Sequence, residues 1–443
     1  MIKRPAAILA LLTGLNLLNY LDRYVLSAVL PRLIQDLGLS NLEAGLLATV
    51  FLLGYFVTSP VFGALGDRLP RKGLIAFGIL IWSAATIGSG LASNIIMLLA
   101  MRALVGVGEA SYATLSPTII DDITPAEKKG SALATFYIAT PVGSALGFIL
   151  GGIIEHKYGW HAAFFVAGFP GVVLALVMLA IQEPQRKPRE DKPNIARDLG
   201  TLAKVKRYRQ GVLGYCAYTA AIGAFSFWAP QFLFKRYDMQ LKDANTIFGG
   251  IIVLAGALGT VVGGRWADRR SKAIDHALLP HREVDPERAF REQGYRDVTP
   301  EEMQRRIDAA HDERVKSQLQ ICAIGSLLGA PLAAACFLSP SSTLFFAFAF
   351  LAITVLFLAT SPINAVILQS VPSHLRASAM ALSIFGIHVL GDLWSPPAVG
   401  ILADHLPIQL AMMTLPLAIA ASAAIWWAKP AAIASNPEIR GEK

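Results

Sequence analysis

The sequence predicts an all-α polytopic membrane protein with twelve transmembrane helices arranged as two six-helix repeats. Three observations lead there. Only 16% of the 443 residues are charged and 54% are hydrophobic, whereas soluble domains carry about a quarter charged residues; the mean hydropathy is +0.51. The apolar residues fall in blocks of roughly 20, each able to cross a bilayer core of about 30 Å. Finally, short polar motifs recur at matching places in the two halves.

The spans are placed at 6–30, 44–65, 73–92, 95–120, 131–154, 161–181, 210–234, 244–266, 317–337, 342–370, 376–402 and 407–428. Their apolarity is continuous, which excludes barrel strands alternating with a period of two. The first block has a basic start, "MIKRPAAILALLTGLNLL", but no small-residue cleavage site follows, so it reads as a helix rather than a removed leader. The organisation is a first bundle (1–181), a Pro-rich basic linker (182–209), a second bundle (210–428) with a hydrophilic insertion at about 267–316, and a tail (429–443). Within the insertion, Thr299, Pro300 and Glu302 have the spacing of a capped helix start, so a helix is expected to run into span nine. Its charge run reads as a solvated face.

Lys and Arg set the orientation. Arg68, Arg71, Lys72, Lys128, Lys129, the linker and the insertion lie on one side; Arg32, Lys157, Lys235, Arg236 and Lys242 lie on the other. The richer side is expected in the cytoplasm, with both termini. A plasma membrane, the inner membrane of a bacterium, is the expected location. The net charge of +8 is spread over these loops and no recognition module accompanies it, which excludes nucleic acid as a partner. Cys216, Cys322 and Cys336 sit in apolar segments without CxxC spacing and read as small buried hydrophobes. Neither metal nor cofactor is expected, and the chain is expected to work as a monomer.

The repeat is visible in two pairs of motifs. "GALGDRLPRK" (63–72) ends span two and "GRWADRRSK" (264–272) ends span eight; "GGIIEHKYG" follows span five and "GILADHLP" follows span eleven. Asp67 precedes Glu155 by 88 positions and Asp268 precedes Asp404 by 136; the excess of 48 is close to the length of the insertion. Internal repeats of this kind are common in secondary transporters.

These motifs resemble those of the major facilitator superfamily. "GALGDRLPRK" is similar to its signature loop between spans two and three, with Gly63, Asp67, Arg68, Arg71 and Lys72 in place and Pro70 where Gly is usual. "RALVGVGEA" (102–110) resembles the span-four motif, and "PVGSALGFILGG" (141–152) the Gly-rich span-five motif of antiporters. "LNYLDRYVLSAVLP", "RALVGVGEASYATLSPTIIDD", "FYIATPVGSALGF", "FSFWAPQFLF" and "HVLGDLWSP" are similar to the spinster branch. The resemblance implies secondary transport, commonly proton-coupled, of lysophospholipids or sphingoid-phosphate-like lipids.

The candidate site starts from charges where water is scarce: Asp22 and Arg23 in span one, Arg102 and Glu109 in span four. Such residues cost at least a few kcal/mol and normally face a cavity and one another. At about 1.5 Å per residue, Asp22 lies about 25 Å along its helix, and Arg102 about 10 Å from the opposite end of its own. Glu109 is seven residues beyond Arg102, on the same face. One reading is a static network joining spans one and four. The other, preferred because buried pairs rarely repay their desolvation, makes Asp22 and Glu109 titratable partners sharing Arg102, with Arg23 turned about 100° away toward the interface. Span eleven adds His388 and Asp392. Span seven offers an aromatic wall with Tyr215, Tyr218, Phe225, Phe227 and Trp228.

Two further groups are singled out. Asp67, Arg68 and Arg71, with Asp268 and Arg269 as their second copy, are expected to form a cytoplasmic gate clasp, since topology alone needs no acid. Gly143, Gly147 and Gly151 recur every fourth residue and are expected to let helices approach closely. The expected function is alternating-access, proton-coupled movement of an amphipathic lipid, with substrate, protons and membrane lipids as partners. Export of drugs or small organic anions is the rival within transport. A lipid-modifying membrane enzyme or a transport-inactive receptor is the rival outside it; no HExxH, GxSxG or GxxxxGK[ST] motif is present to carry hydrolysis or ATP use.

Overall fold

In the computed structural model of the protein, residues 4–125, 128–183, 200–279, 300–372 and 375–427 are described. Among these described residues, twelve helices are long and apolar enough to cross a membrane. Spans one to six are Pro5–Leu37, Asn41–Gly66, Arg71–Ser89, Ile95–Ile123, Lys129–Tyr158 and Trp160–Leu179. Spans seven to twelve are Lys206–Tyr237, Leu241–Leu278, Glu302–Leu338, Ser342–Gln369, Ser378–His405 and Ile408–Trp427. Most of the linker, the middle of the insertion (with Thr299) and the tail lie outside the described residues.

Local chemistry sets the helix ends. Pro5 opens span one, where a missing N–H is harmless. Gly38 closes it in the left-handed region at φ 62°, which favours glycine. Two residues later Ser40 starts span two through a capping box with Glu43. Span eight departs from expectation by running on to Leu278. "RRSKAIDHAL" contains no Gly or Pro to stop it, whereas Pro70 breaks the corresponding chain in the first half. Asp268 and Arg269 therefore lie inside a continuous helix and not at a turn. Span nine begins as a long helix at Pro300. Glu302 there pairs with Arg306 at 2.7 Å, on an exposed face.

Gly143 and Gly147 of span five lie against span one, where a Cβ would come within 2.4 Å of the Leu17 carbonyl oxygen and 2.5 Å of that of Leu21. A Cβ on Gly151 would come within 2.7 Å of that of Ala28. This contact holds the segment carrying Asp22 and Arg23 at a fixed height against its bundle. The halves meet along three seams: span one with seven, two with eleven, and five with eight. Polar bonds tighten the seams at the end where Asn41 and Asp404 lie: Asn41 Nδ2 donates to Asp404 Oδ1 at 2.7 Å and Asn245 Nδ2 to the Ala28 carbonyl at 2.9 Å. Toward the other end the halves touch through Phe56 and Phe385, ring centroids 5.6 Å apart, and Phe385 is half exposed.

Candidate functional site: a charged central cavity

Between the halves lies a cavity of about 210 Å³. The first half contributes Arg23, Tyr24 and Arg102, and the second Phe227, His388 and Asp392. Behind this surface Asp22 and Glu109 are buried, 1% and 0% exposed. Four of the six charged candidates thus line the cavity and two form the layer beneath.

The pairing differs from the expectation for both acids. Arg23, not Arg102, holds Glu109: its Nε donates to Oε2 at 2.7 Å. The arginine side chain is long enough to cross the angle separating it from Asp22 and reach span four. Asp22 is held instead by span three, where Thr86 Oγ1 donates to Oδ2 at 2.5 Å. Asp22 Oδ1, Glu109 Oε1 and Arg102 Nε are buried and make no hydrogen bond among the described residues. Phe51 of span two joins the two cations, with the Arg23 guanidinium 4.9 Å and that of Arg102 4.8 Å from its ring centre. Tyr20 and Tyr55 complete the aromatic surround of Arg23, at 5.0 and 5.5 Å.

In span eleven the helix widens to a π-turn over His388–Asp392, a distortion frequent at functional sites. His388 Nδ1 lies 2.9 and 3.0 Å from the two Asp392 carboxylate oxygens. Gly223 of span seven permits this pair to approach, since a Cβ there would lie 2.7 Å from that of Asp392. Span seven presents Gly223, Ser226 and Phe227 to the cavity, a three- and four-residue spacing on one helical face. Three of the aromatic candidates belong to other faces. Trp228 is fully buried and donates to the Pro396 carbonyl at 2.9 Å; Tyr218 donates to that of Leu356 at 3.2 Å. Phe225 packs in a cluster with Phe248, Phe337 and Phe345. Tyr215 packs beside Tyr218, rings 6.0 Å apart, and is not part of the lining. Thr86, Phe51 and Gly223 were not singled out from the sequence, because such residues are ordinary in apolar helices and carry no burial penalty to betray them.

The clasp residues divide. Asp67 is exposed at the end of span two. Arg71 is buried and bonds inside its own half, to Asp122 at 2.7 Å, Thr118 at 3.1 Å and Glu183 at 3.4 Å. Glu183 in turn accepts the backbone N–H groups of Arg71 and Lys72, both at 3.0 Å, and so caps span three. Arg71 thereby fastens span three to span four and to the chain that leaves span six. Arg68, Asp268 and Arg269 are exposed.

A family model described as the Major Facilitator Superfamily matches residues 12–278. Protein spinster homolog 1 of Homo sapiens is 33% identical over 430 residues, covering 91% of this chain and 74% of the human protein. The chain belongs to the spinster branch of that superfamily. Another relative is the probable sphingolipid transporter spinster homolog 2 of Arabidopsis thaliana, 29% identical, covering 95% of this chain and 86% of that protein. The fold agrees with a solved bacterial homolog of the human lysosomal transporter Spinster, in an inward-facing, unoccupied conformation. The TM-score is 0.75 at 19% identity, covering 96% of both chains. A D-xylose-proton symporter gives a TM-score of 0.69 at 15% identity, covering 95% of this chain and 96% of that one. This spinster protein is a multi-pass membrane transporter.

Proposed function

We propose that this spinster protein couples proton movement to the alternating-access transport of an amphipathic lipid, a lysophospholipid or sphingoid phosphate. It carries no enzymatic step. The observation carrying the reading is the composition of the cavity: two arginines and an acid–histidine pair among aromatic rings, over two buried acids that each keep one oxygen free. Cations suit a phosphate head, and rings suit an apolar chain; ligand sites generally combine apolar lining with a few placed polar groups. The Arabidopsis relative is named a probable sphingolipid transporter, which supports the sphingoid part of this class. The test is flux in proteoliposomes under an imposed pH gradient. A single-chain lysolipid or sphingoid phosphate is expected to compete for transport far better than glucose or an amino acid. Equal competition by compact polar solutes would remove the lipid reading, and preferred competition by planar drugs would favour the exporter.

The orientation is part of the same proposal. The Lys- and Arg-rich loops face the cytoplasm, so the seam at Asn41 and Asp404 closes the outer side and the protein is inward-facing. Single cysteines replacing Gly200 and Phe290 are expected to react with an impermeant maleimide only after the cytoplasmic side is exposed. The three native cysteines are buried and give little background. Reaction of either from outside intact cells would invert the topology. With this orientation Asp67, Arg68, Asp268 and Arg269 fall at the inner mouth, and we assign them to the clasp that forms when that side closes.

A further inference from the structure

The motif "GILADHLP" makes a dense polar contact between the halves. Asp404 Oδ1 accepts the Asn41 backbone N–H at 2.8 Å and Asn41 Nδ2 at 2.7 Å, and Oδ2 accepts the Leu42 N–H at 3.0 Å. These are the first two N–H groups of span two, which have no acceptor within their own helix; the third, of Glu43, goes to Ser40 Oγ at 3.1 Å. A carboxylate there also meets the positive end of the helix dipole. Asn41 Nδ2 further donates to the Ala403 carbonyl at 3.2 Å, and Lys235 of span seven donates to Asn41 Oδ1 at 3.5 Å. The start of a first-half helix is thus capped by the second half.

The contact continues inward with helical spacing. Gly45 lies against Pro396 and Pro397, where a Cβ would come within 2.6 Å of the backbone, and Gly400 lies equally close to the Asn41 carbonyl. One turn further, Thr49 Oγ1 donates to the Leu393 carbonyl at 2.7 Å. That carbonyl would accept from residue 397 in an unbroken helix, but Pro397 has no N–H. A first-half hydroxyl therefore satisfies an acceptor orphaned by a second-half proline. Residues 41, 45 and 49 form one stripe of span two.

We propose that this stripe, docked on Leu393–Asp404, is the latch that closes this end of the transporter and that opens once per cycle. It rests on the alternating-access reading and names the residues that set its resting state. Release is reversible because Thr49 has a second partner: Thr58 and Ser59 of the same helix donate to their own Gly54 and Tyr55 carbonyls at 2.7 and 2.6 Å, and the Gly45 carbonyl offers Thr49 the same bond. The repeat-related acid, Glu155, does not do this. It stays within its own half, bound to Arg32 at 3.1 Å. The latch is one-sided, on the span-two and span-eleven seam.

Spin labels replacing the exposed residues Tyr158 of the first half and Pro340 of the second report the separation at this end. Thr49→Val keeps the shape but strands the Leu393 acceptor, and Asp404→Ala removes the cap. Each is expected to raise the longer-distance population at least about fivefold, as loss of a buried or charged hydrogen bond implies. Asp404→Asn, which retains one acceptor for Asn41, is expected to fall between these and the parent. A parent that interconverts while Thr49→Val and Asp404→Ala match its distribution overturns the latch alone. A parent held at one distance with and without lysolipid overturns the latch together with alternating access.

Discussion

Replacing both buried acids, Asp22→Asn with Glu109→Gln, is expected to abolish accumulation driven by a pH gradient while substrate binding survives. The reason is geometric. Each carboxylate uses one oxygen in a defined bond, Asp22 to Thr86 at 2.5 Å and Glu109 to Arg23 at 2.7 Å. Each keeps its second oxygen buried and unbonded. A proton can therefore be placed on either acid without first breaking the bond that positions it. Under the proposed proton coupling, two acids in one charged cluster with Arg23 and Arg102 would share the proton as a coupled system, neither owning the transition. A substrate anion that binds the arginines, or a change in water access as the halves rock, alters the charge balance the acids experience. The effect is large enough to measure. Each proton moved down a gradient of one pH unit supplies about 1.4 kcal/mol, which supports roughly tenfold accumulation of substrate. The double variant should bring internal and external substrate to equality, with exchange of bound lysolipid retained. Accumulation that persists in a protein lacking both acids would make the network structural and leave the driving ion unassigned.

The parts of this molecule that could be read in advance are those that carry a physical penalty. Twelve apolar blocks are visible because a bilayer admits little else. Asp22, Arg23, Arg102 and Glu109 stand out because charges inside such blocks are costly. What was illegible is which partner each charge takes. Arg23 and Arg102 are equivalent as letters, and helical angle alone points Arg23 away from Glu109, but a long flexible side chain overrides the angle of its Cα. The aromatic wall of span seven failed for a related reason. "AFSFWAP" is rich in rings on every face, and only the three-dimensional packing assigns Phe225 and Trp228 to the interior and Phe227 to the cavity. Thr49 and Thr86 were silent because a threonine in an apolar helix normally bonds its own backbone.

The exchanged roles of the two arginines yield a test that separates them. Arg23→Gln removes the charged hydrogen-bond partner of Glu109 Oε2 and leaves a wholly buried acid beside its empty place. Breaking a buried pair from one side typically costs about 3–5 kcal/mol. Arg23 remains 20% exposed, so the lower end, about 3 kcal/mol, is expected here. Thermal unfolding in detergent should register it as an early transition, and Glu109→Gln in the same chain should restore most of the loss, because position 109 then carries no unpaired charge. Arg102 behaves differently. It lines the cavity, and its Nε makes no hydrogen bond among the described residues; under the proposed function we assign its guanidinium to the substrate anion. Arg102→Gln is expected to weaken a lysolipid phosphate by roughly 10- to 100-fold, the worth of a charge-assisted bond, while a neutral single-chain lipid of equal length binds nearly as before. The two variants should thus fail in different assays, one in stability and one in headgroup selectivity. If Arg23→Gln loses anion selectivity without loss of stability, then Arg23 is the substrate ligand and its bond to Glu109 is what substrate displaces.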